Sequence, residues 1–310
     1  MRATASVSPQ TFDFAAYVTV TRPFTLVMPA LGMLTGGIIA LRAAVPVESP
    51  WLLGPWTRIL LGTVMAALLN SASNVLNQVY DIDIDRVNKP DRVLPQGLMS
   101  ETGALRYSAV LYALALLCAM LVGPSCAAIV AVTAFLTWAY SAPPFRFKRL
   151  LWYANLVVAV PRGMLLKVAG WSAVGSIFAR EAWFIGGIFA VFLFGAMSTK
   201  DFSDVEGDRR FGCETLPIRY GVRKAAGIIA PFFFAPTLLI ALGLWTGWLS
   251  GNPHVLVGLA ALMAAWGAYT IRLMFRHQDA LLADANQASW THMYLMSFAL
   301  QIGFALAYVI

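Results

Sequence analysis

Long apolar segments recur along almost the whole of this 310-residue chain and leave few choices of fold. A transmembrane helix needs about 20 consecutive apolar residues, and nine segments meet this requirement. They run over residues 22–42, 57–80, 104–122, 125–142, 152–174, 182–200, 225–247, 253–275 and 289–309. Charged residues make up 12% of the chain, about half the share of a soluble domain. The sequence therefore predicts an all-α polytopic membrane protein with about nine transmembrane helices.

Lysine and arginine residues concentrate in the connections that follow every second segment. The connections on the opposite side carry only Arg42, Arg58 and Arg180. Because basic residues favour the cytoplasmic side of a membrane, we expect a cytoplasmic N-terminus and cytoplasmic connections at 81–103 and 201–224, in an inner or plasma membrane. The net charge of +7 fits contact with anionic membrane lipid, and no feature indicates a nucleic-acid partner. No stretch resembles a flexible linker, so residues 1–310 are predicted to form a single domain.

Acidic residues are scarce, and nearly half of the 15 lie in two short stretches at the ends of apolar segments. In a helix, the members of each stretch share one face because their spacing is three or four residues. The first stripe is Asn77, Asp81 and Asp85, and the second is Asp201, Asp204 and Asp208. Like charges so arranged repel each other, so a cation is expected between them, and hard divalent ions such as Mg²⁺ prefer oxygen ligands.

Basic residues follow each acidic stripe, and they supply the positive charge that a bound diphosphate needs. A protein carboxylate repels a diphosphate, but Mg²⁺ bridges the two, while arginine and lysine side chains neutralise the remaining phosphate charge. The combination predicts a magnesium–diphosphate site at the cytoplasmic edge of the membrane.

These stripes resemble the two acidic motifs of the UbiA superfamily of intramembrane prenyltransferases. They are Asn77-Gln78-x-x-Asp81-x-x-x-Asp85 and Asp201-x-x-Asp204-x-x-x-Asp208. The run from Tyr140 to Lys148 is similar to the family's Tyr-Ser motif, and Thr21-Arg22-Pro23 is similar to its usual start of the first helix. The resemblance implies nine helices around a central cavity with a cytoplasmic cap, open laterally to lipid. It also implies Mg²⁺-dependent transfer of a prenyl group from an allylic polyprenyl diphosphate to a lipophilic acceptor.

The resemblance also implies roles for individual residues. The expected metal-binding residues are Asn77, Asp81, Asp85, Asp201, Asp204 and Asp208, and the five aspartates among them are also the expected catalytic residues. The expected substrate-binding residues are Arg22, Asn74, Asn77, Lys89, Arg92, Tyr140, Ser141, Arg146, Lys148, Arg162, Lys167 and Lys200. Arg162 and Lys167 fall inside an apolar segment, where a charge is costly and generally faces a cavity. For Lys167 we weigh an acceptor carboxylate against snorkelling or a structural ion pair, and for Asn74 a ligand contact against an interhelical hydrogen bond.

The identity of the acceptor depends on smaller features. Gln78 replaces the usual aspartate of the first motif, which is similar to homogentisate prenyltransferases and predicts an aromatic, quinone-precursor-like acceptor. The run from Lys200 to Asp208 also resembles relatives that act on glycerol-phosphate lipids, and Tyr-Ser-Ala-Pro-Pro resembles chlorophyll synthases. A terpene cyclase of the same family is a further alternative. A secondary transporter would place its polar groups near the membrane midplane, whereas here they cluster at one edge.

Overall fold

The computed structural model of the chain describes residues 13–276, 281–282 and 288–310. Within these residues, eight helices are long and apolar enough to span a membrane. In chain order the helices discussed below are α1 (Phe14–Val20), α2 (Pro23–Ala43), α3 (Pro55–Tyr80), α4 (Ile82–Asn88), α5 (Glu101–Val122), α6 (Pro124–Ser141), α7 (Leu151–Ala159), α8 (Leu166–Ser172), α9 (Arg180–Phe202), α10 (Val205–Arg210), α11 (Leu216–Tyr220), α12 (Val222–Trp245), α13 (Pro253–Arg276) and α14 (Ala288–Val309). The eight long ones are α2, α3, α5, α6, α9, α12, α13 and α14.

The fifth predicted segment, 152–174, forms a composite helix. α7 and α8 are joined by a π-helical turn at Val160–Leu165, which contains Pro161. Proline has no backbone N–H to donate, and single π turns are a common way to relax an α-helix locally. Gly163 in this turn lies so close to α9 that a Cβ atom would be 2.5 Å from the backbone nitrogen of Ala190. The nine predicted segments therefore correspond to eight long helices and this interrupted one.

The spanning helices form a closed ring. Each packs against its neighbour in the chain, and the last, α14, packs against the first, α2. α8 also packs against α2 beside Gly36. This contact fills the centre of the ring at the level of Gly36. The central space is consequently left open at the end of the bundle where α3 and α9 terminate.

Apolar side chains fill the ring and also cover its outside. Phe192 and Phe233 are fully buried and meet edge to face with ring centroids 5.9 Å apart. Large apolar side chains such as Leu60, Leu238 and Val257 are exposed on the outer surface. An apolar exterior of this kind matches a hydrocarbon environment, and the protein is an integral membrane protein.

Both acidic motifs lie at one end of the bundle. α3 is followed directly by α4, and α9 is followed by α10, and these two short helices pack against each other. The connections 81–103 and 201–224 therefore form a common cap over the open end of the ring, as the sequence predicts. The N-terminal residues 1–12 lie outside the described residues, so the predicted side of the N-terminus stays a prediction.

Candidate active site

The first acidic motif spans a break between two helices. α3 ends at Tyr80, and Asp81 has a non-helical backbone with φ −110° and ψ 9°. The i+4 hydrogen bonding nevertheless continues through the break, because the backbone N–H of Asp85 donates to the carbonyl oxygen of Asp81 at 2.7 Å. Asn77 donates from Nδ2 to Oδ2 of Asp81 at 2.7 Å. The predicted stripe of Asn77, Asp81 and Asp85 is therefore preserved although the helix is not continuous.

The second motif has a similar break. The last residues of α9, Met197–Phe202, tighten into a 3₁₀ turn, and α10 begins after Asp204, whose backbone is non-helical. The backbone N–H of Asp208 donates to the carbonyl oxygen of Asp204 at 3.1 Å. Each motif thus places one aspartate in a bend and another on the short helix that follows it.

A single cavity of about 810 Å³ lies between the two motifs. Twelve of the residues expected from the sequence line it. They are Arg22, Asn77, Asp81, Asp85, Lys89, Arg92, Tyr140, Lys148, Lys200, Asp201, Asp204 and Asp208. Residues that are 120 or more positions apart in the chain therefore share one space, as the family resemblance implies.

Two ion pairs connect distant parts of the chain across this cavity. Lys89, just after α4, pairs with Asp204 of the second motif. Lys148, before α7, pairs with Asp81 of the first motif and is itself buried. These contacts join the cap connections to each other and to the Tyr-Ser segment.

Two further pairs are local. Nη1 of Arg92 is 2.5 Å from Oδ2 of Asp85, and Nζ of Lys200 is 3.4 Å from Oδ1 of Asp201. With the two distant pairs, four aspartates of the motifs each have a cationic partner. These lysines and arginine lie where phosphate oxygens would enter, so they are placed to exchange a carboxylate for a phosphate partner.

The two carboxylates of the second motif differ in their proton affinity. Burial opposes ionisation of Asp204, but the ammonium groups of Lys89 and Lys200 outweigh it and hold the pKa of that carboxyl below its usual value. Burial raises the pKa of the Asp208 carboxyl to about 7, against the opposing charge of Lys148. A divalent cation next to Asp208 would favour its charged form.

The donor set of the cavity fits a hard divalent cation. All six candidate ligands offer carboxylate or amide oxygen. Oδ1 of Asp81 is buried without a hydrogen-bond partner, and Nη2 of Arg146 is 3.7 Å away from it. A buried carboxylate oxygen without a hydrogen bond is costly, and a metal ion would satisfy it.

The carboxylates are not gathered around one point. Among the residues that the structure describes, no three His, Cys, Asp or Glu side chains are close enough to hold one ion by themselves. The ion pairs explain this, because each of four aspartates is drawn towards its own cation. Mg²⁺ is usually bound by one or two carboxylates together with substrate phosphate oxygens, not by a complete protein cage. The arrangement is therefore compatible with Mg²⁺ that is bound together with a diphosphate.

Five expected site residues do not line the main cavity. Ser141 is fully buried and contacts Asn77 at 3.4 Å, and Arg146 donates to the carbonyl oxygen of Tyr80 at 2.6 Å. Both lie behind the first motif and support it. Arg162 lines two smaller cavities, one of which shares Thr25 and Met197 with the main cavity.

Asn74 and Lys167 have partners elsewhere. Asn74 donates to the carbonyl oxygen of Thr21 and to Oγ1 of Thr25, both at 2.8 Å, which is the interhelical hydrogen bond weighed above. Lys167 is buried, donates to Oγ1 of Thr35 at 2.6 Å, and lies 4.5 Å from the ring centroid of Phe189. Its ammonium group is enclosed between helices, and an acceptor contact for it stays a prediction.

Two residues have structural roles that the sequence analysis missed. Gln78 donates from Nε2 to the carbonyl oxygen of Val20 at 2.6 Å and so fastens α3 to the end of α1. Asn88 accepts a hydrogen bond from the backbone N–H of Gly207 and donates to the carbonyl oxygen of Asp204. The spacing offered a signal for Asn88, because it follows Asp85 by three residues and continues the first acidic stripe.

Comparison with known proteins agrees with this geometry. The sequence model of the UbiA prenyltransferase family matches residues 33–298. The chain belongs to the UbiA prenyltransferase family. It is a prenyltransferase, as the sequence predicts.

Two relatives of this UbiA family member have named activities. A digeranylgeranylglyceryl phosphate synthase from Thermococcus gammatolerans is 31% identical over 285 residues, which cover 89% of this chain and 92% of the relative. The bacteriochlorophyll synthase 34 kDa chain of Chloroflexus aurantiacus is 31% identical over 209 residues, which cover 67% of this chain and 66% of the relative. These names match the alternative acceptors of the sequence analysis better than the predicted aromatic acceptor.

Solved structures share the fold of this UbiA family member. A UbiA homologue from Archaeoglobus fulgidus bound to GPP and Mg²⁺ aligns with a TM-score of 0.71 at 19% identity, over 95% of this chain and all of that one. The structure of a UbiA homologue from Aeropyrum pernix K1 aligns with a TM-score of 0.72 at 16% identity, over 92% and 98% of the two chains. At this level of identity the likeness concerns the fold.

Proposed function

We propose that this chain, as a single domain, transfers a prenyl group from an allylic prenyl diphosphate to a glycerol-phosphate lipid and releases diphosphate, with Mg²⁺ as cofactor. One observation carries the proposal. Two acidic motifs and their lysine and arginine partners face one cavity at the edge of an apolar bundle. The name of the Thermococcus relative, with its glyceryl phosphate product, supports the choice of acceptor.

The metal would be held by Asp81 and Asp85 of the first motif and by Asp201 and Asp204 of the second, with Asn77 and Asp208 as further ligands. Bound Mg²⁺ would stabilise negative charge on the departing diphosphate. The unsatisfied Oδ1 of Asp81 supports this assignment.

Lysine and arginine side chains supply the rest of the charge. Lys89, Lys148, Lys200 and Arg92 line the cavity and pair with aspartate carboxylates. When a diphosphate enters, the same groups are placed to donate charge-assisted hydrogen bonds to its oxygens. Such preorganised donors stabilise the charge that develops on the leaving group.

The reaction then exchanges one carbon–oxygen bond for another. The bond between the allylic carbon and the diphosphate oxygen breaks, and the acceptor hydroxyl oxygen forms a bond to that carbon. The products are the prenylated lipid, diphosphate and one proton. The developing allylic cation has to be kept from water, and Leu151, Val158, Met197 and Leu216 provide apolar walls beside the charged groups.

We further propose that the cavity faces the cytoplasm of an inner or plasma membrane. The support is the concentration of lysine and arginine at the motif end of the bundle. A cytoplasmic site would give a soluble cation, Mg²⁺, direct access.

Product analysis tests this function. Protein in lipid nanodiscs is incubated with geranylgeranyl diphosphate and Mg²⁺, with either a geranylgeranylglyceryl phosphate, a chlorophyllide or homogentisate as acceptor. We expect a product with the mass of the prenylated glycerol-phosphate lipid, together with diphosphate in equal amount. A prenylated product from homogentisate or chlorophyllide alone would contradict the acceptor, and a cyclic hydrocarbon formed without acceptor would contradict the transfer itself.

A further inference from the structure

Arg22 and Arg162 differ from the other cations of the site. Arg92, Lys89, Lys148 and Lys200 each have a carboxylate partner. Across residues 13–276, 281–282 and 288–310, the guanidinium groups of Arg22 and Arg162 make no ion pair and no hydrogen bond. Two cations without partners remain after the metal and diphosphate groups have been assigned.

The two arginines line neighbouring cavities. Arg22 lines the main cavity from the bend before α2, where its φ is 57°. Arg162 lines a small cavity of about 20 Å³ that shares Thr25 and Met197 with the main one. It also lines a second small cavity of about 40 Å³ beyond.

Arg162 is deeper in the membrane than the acidic motifs. Its smaller cavity is lined by Met28, Leu193 and Ser297, each several residues inward from the motif end of its helix. A guanidinium at that depth is costly unless it faces a cavity or a partner. The π turn after Pro161 places it at the cavity wall.

The proximity of Arg22 and Arg162 to each other adds like-charge repulsion to the free-energy cost of burying them. Burial, followed by the like charges of Arg92 and Arg162, lowers the pKa of Arg22 to about 10, against the opposing charges of Asp85 and Asp204. An anion bound between Arg22 and Arg162 would relieve both the repulsion and the missing hydrogen bonds.

We propose that Arg22 and Arg162 form a second anion subsite, next to the diphosphate site, which binds the phosphate group of the acceptor lipid. This inference rests on the proposed function and specifies how its acceptor is recognised. Guanidinium groups suit a phosphate because their planar donors form paired hydrogen bonds with its oxygens. The donor diphosphate already has four cations of its own at the motifs.

The subsite accounts for selectivity between acceptors. A neutral lipid alcohol in the same place would leave both guanidinium groups without a partner, and a site built for a charged group rejects an analogue that lacks it. Tyr294, beside Arg162, stacks between Phe24 and Trp290 with ring centroids 5.2 and 5.1 Å away. This stack forms an apolar wall at the subsite, on which the lipid part of the acceptor can pack.

Equilibrium binding without turnover tests the subsite. Full-length protein in detergent and EDTA is titrated with a 1-O-alkylglycerol 3-phosphate and, separately, with the neutral 1-O-alkylglycerol. We expect Arg162→Gln and Arg22→Gln to weaken binding of the phosphate lipid about tenfold to a hundredfold, the usual range for a hydrogen bond to a charged group. Neutral lipid should bind all proteins alike. Arg180→Gln is the matched control, because this arginine packs on Trp248 at the opposite end of the bundle.

Three further measurements make the result specific. Arg162→Lys keeps the charge and should retain part of the affinity, and the melting temperature of each variant shows that it is folded. Binding of prenyl diphosphate with Mg²⁺ should be the same in Arg162→Gln as in the unaltered protein. Equal affinity of Arg162→Gln and the unaltered protein for the phosphate lipid would overturn the subsite. So would a loss confined to prenyl diphosphate.

The binding experiment is independent of the proposed reaction. Because it contains neither metal nor donor, arginine-dependent binding of the phosphate lipid supports the subsite whatever product the enzyme forms. Failure of prenyl transfer would instead be seen only in the product analysis above.

Discussion

The side-chain oxygen of Asn88 accepts a hydrogen bond from the backbone N–H of Gly207 at 2.8 Å. Nδ2 of the same side chain donates to the carbonyl oxygen of Asp204 at 3.0 Å. One amide therefore fastens α4, which carries Asp85, to α10, which carries Asp208. The relative position of the two acidic motifs depends on this contact.

Removal of the Asn88 contact should reduce catalysis more than stability. For Asn88→Ala we expect kcat to fall at least about tenfold, because a displacement of about 1 Å of reacting groups can cost a factor of about 100. Gly207→Ala should have the same effect, since a Cβ atom there would lie 2.6 Å from the Asn88 side chain. The measurement is prenyl transfer at saturating substrate.

Gly227 provides the control for Gly207→Ala. It lies in α12, and a Cβ atom added there has open space around it. Gly227→Ala should leave kcat unchanged and slightly raise the melting temperature, because alanine favours a helix by about 0.5–1 kcal/mol. Normal kcat in both Asn88→Ala and Gly207→Ala would show that the motifs do not need this contact.

The acidic motifs themselves contain matched controls. We expect Asp81→Ala and Asp204→Ala each to lower turnover at least about a hundredfold, because each would weaken binding of a metal ion that contributes several kcal/mol of charge stabilisation. Asp83→Ala and Glu206→Ala should remain active, since Asp83 is paired with Arg86 at the surface and Glu206 is exposed. Turnover is measured on protein that has inserted normally into the membrane.

Metal removal should reproduce the loss. EDTA is expected to abolish activity and added Mg²⁺ to restore it, because carboxylates and diphosphate repel each other without a cation. Full activity of Asp81→Ala in metal-free buffer would rule out the magnesium–diphosphate site.

The first motif should not tolerate a carboxylate at its second position. Gln78→Glu replaces an amide donor, which lies 2.6 Å from the carbonyl oxygen of Val20, with an acceptor. We expect the free energy of unfolding to fall by about 1–3 kcal/mol, with no gain in Mg²⁺ affinity. Gln96→Glu, at an exposed position of the cap, is the control for the charge. Tighter Mg²⁺ binding by Gln78→Glu at unchanged stability would show that the position belongs to the metal site.

Membrane topology can be tested by labelling. Single cysteines are introduced at Gln96 and Arg210 in the two cap connections, and at Ser176 on the opposite end, in a protein without its native cysteines. All three positions are exposed. An impermeant maleimide should label the first two only from the cytoplasmic side and Ser176→Cys only from the other. Labelling of the two cap positions from different sides would contradict a shared cavity.

The sequence was sufficient to predict the parts of the site that depend on local spacing. Helical periodicity places Asp81 and Asp85 on one face, and this holds although the helix bends at Asp81, because the i+4 hydrogen bond persists. The number and position of the apolar segments were similarly accessible. The shared face follows from helical periodicity over a few residues, and the apolar segments follow from the thickness of the membrane.

Contacts between residues far apart in the chain could not be predicted from local spacing. The amide of Gln78 suggested an aromatic acceptor, but its partner is a carbonyl oxygen 58 residues earlier in the chain. Lys167 was considered for an acceptor contact, yet α2 folds over it and supplies Thr35 as its partner. Partners of this kind are determined by helix packing, which one sequence without a fold does not specify.

The π turn at Val160–Leu165 divides the fifth helix into two segments that contact different neighbouring helices. An i+5 turn contains one residue more than an α-helical turn, and one residue corresponds to a rotation of about 100°. Asn155 before the turn contacts α9, whereas Lys167 after it contacts α2. The wide turn takes up this extra residue, so deletion of one residue within it is expected to give a regular α-helix in which α7 and α8 keep these contacts. The same deletion in α7 or α8 outside the turn would instead rotate one of the two helices by about 100° and remove either the Asn155 or the Lys167 contact.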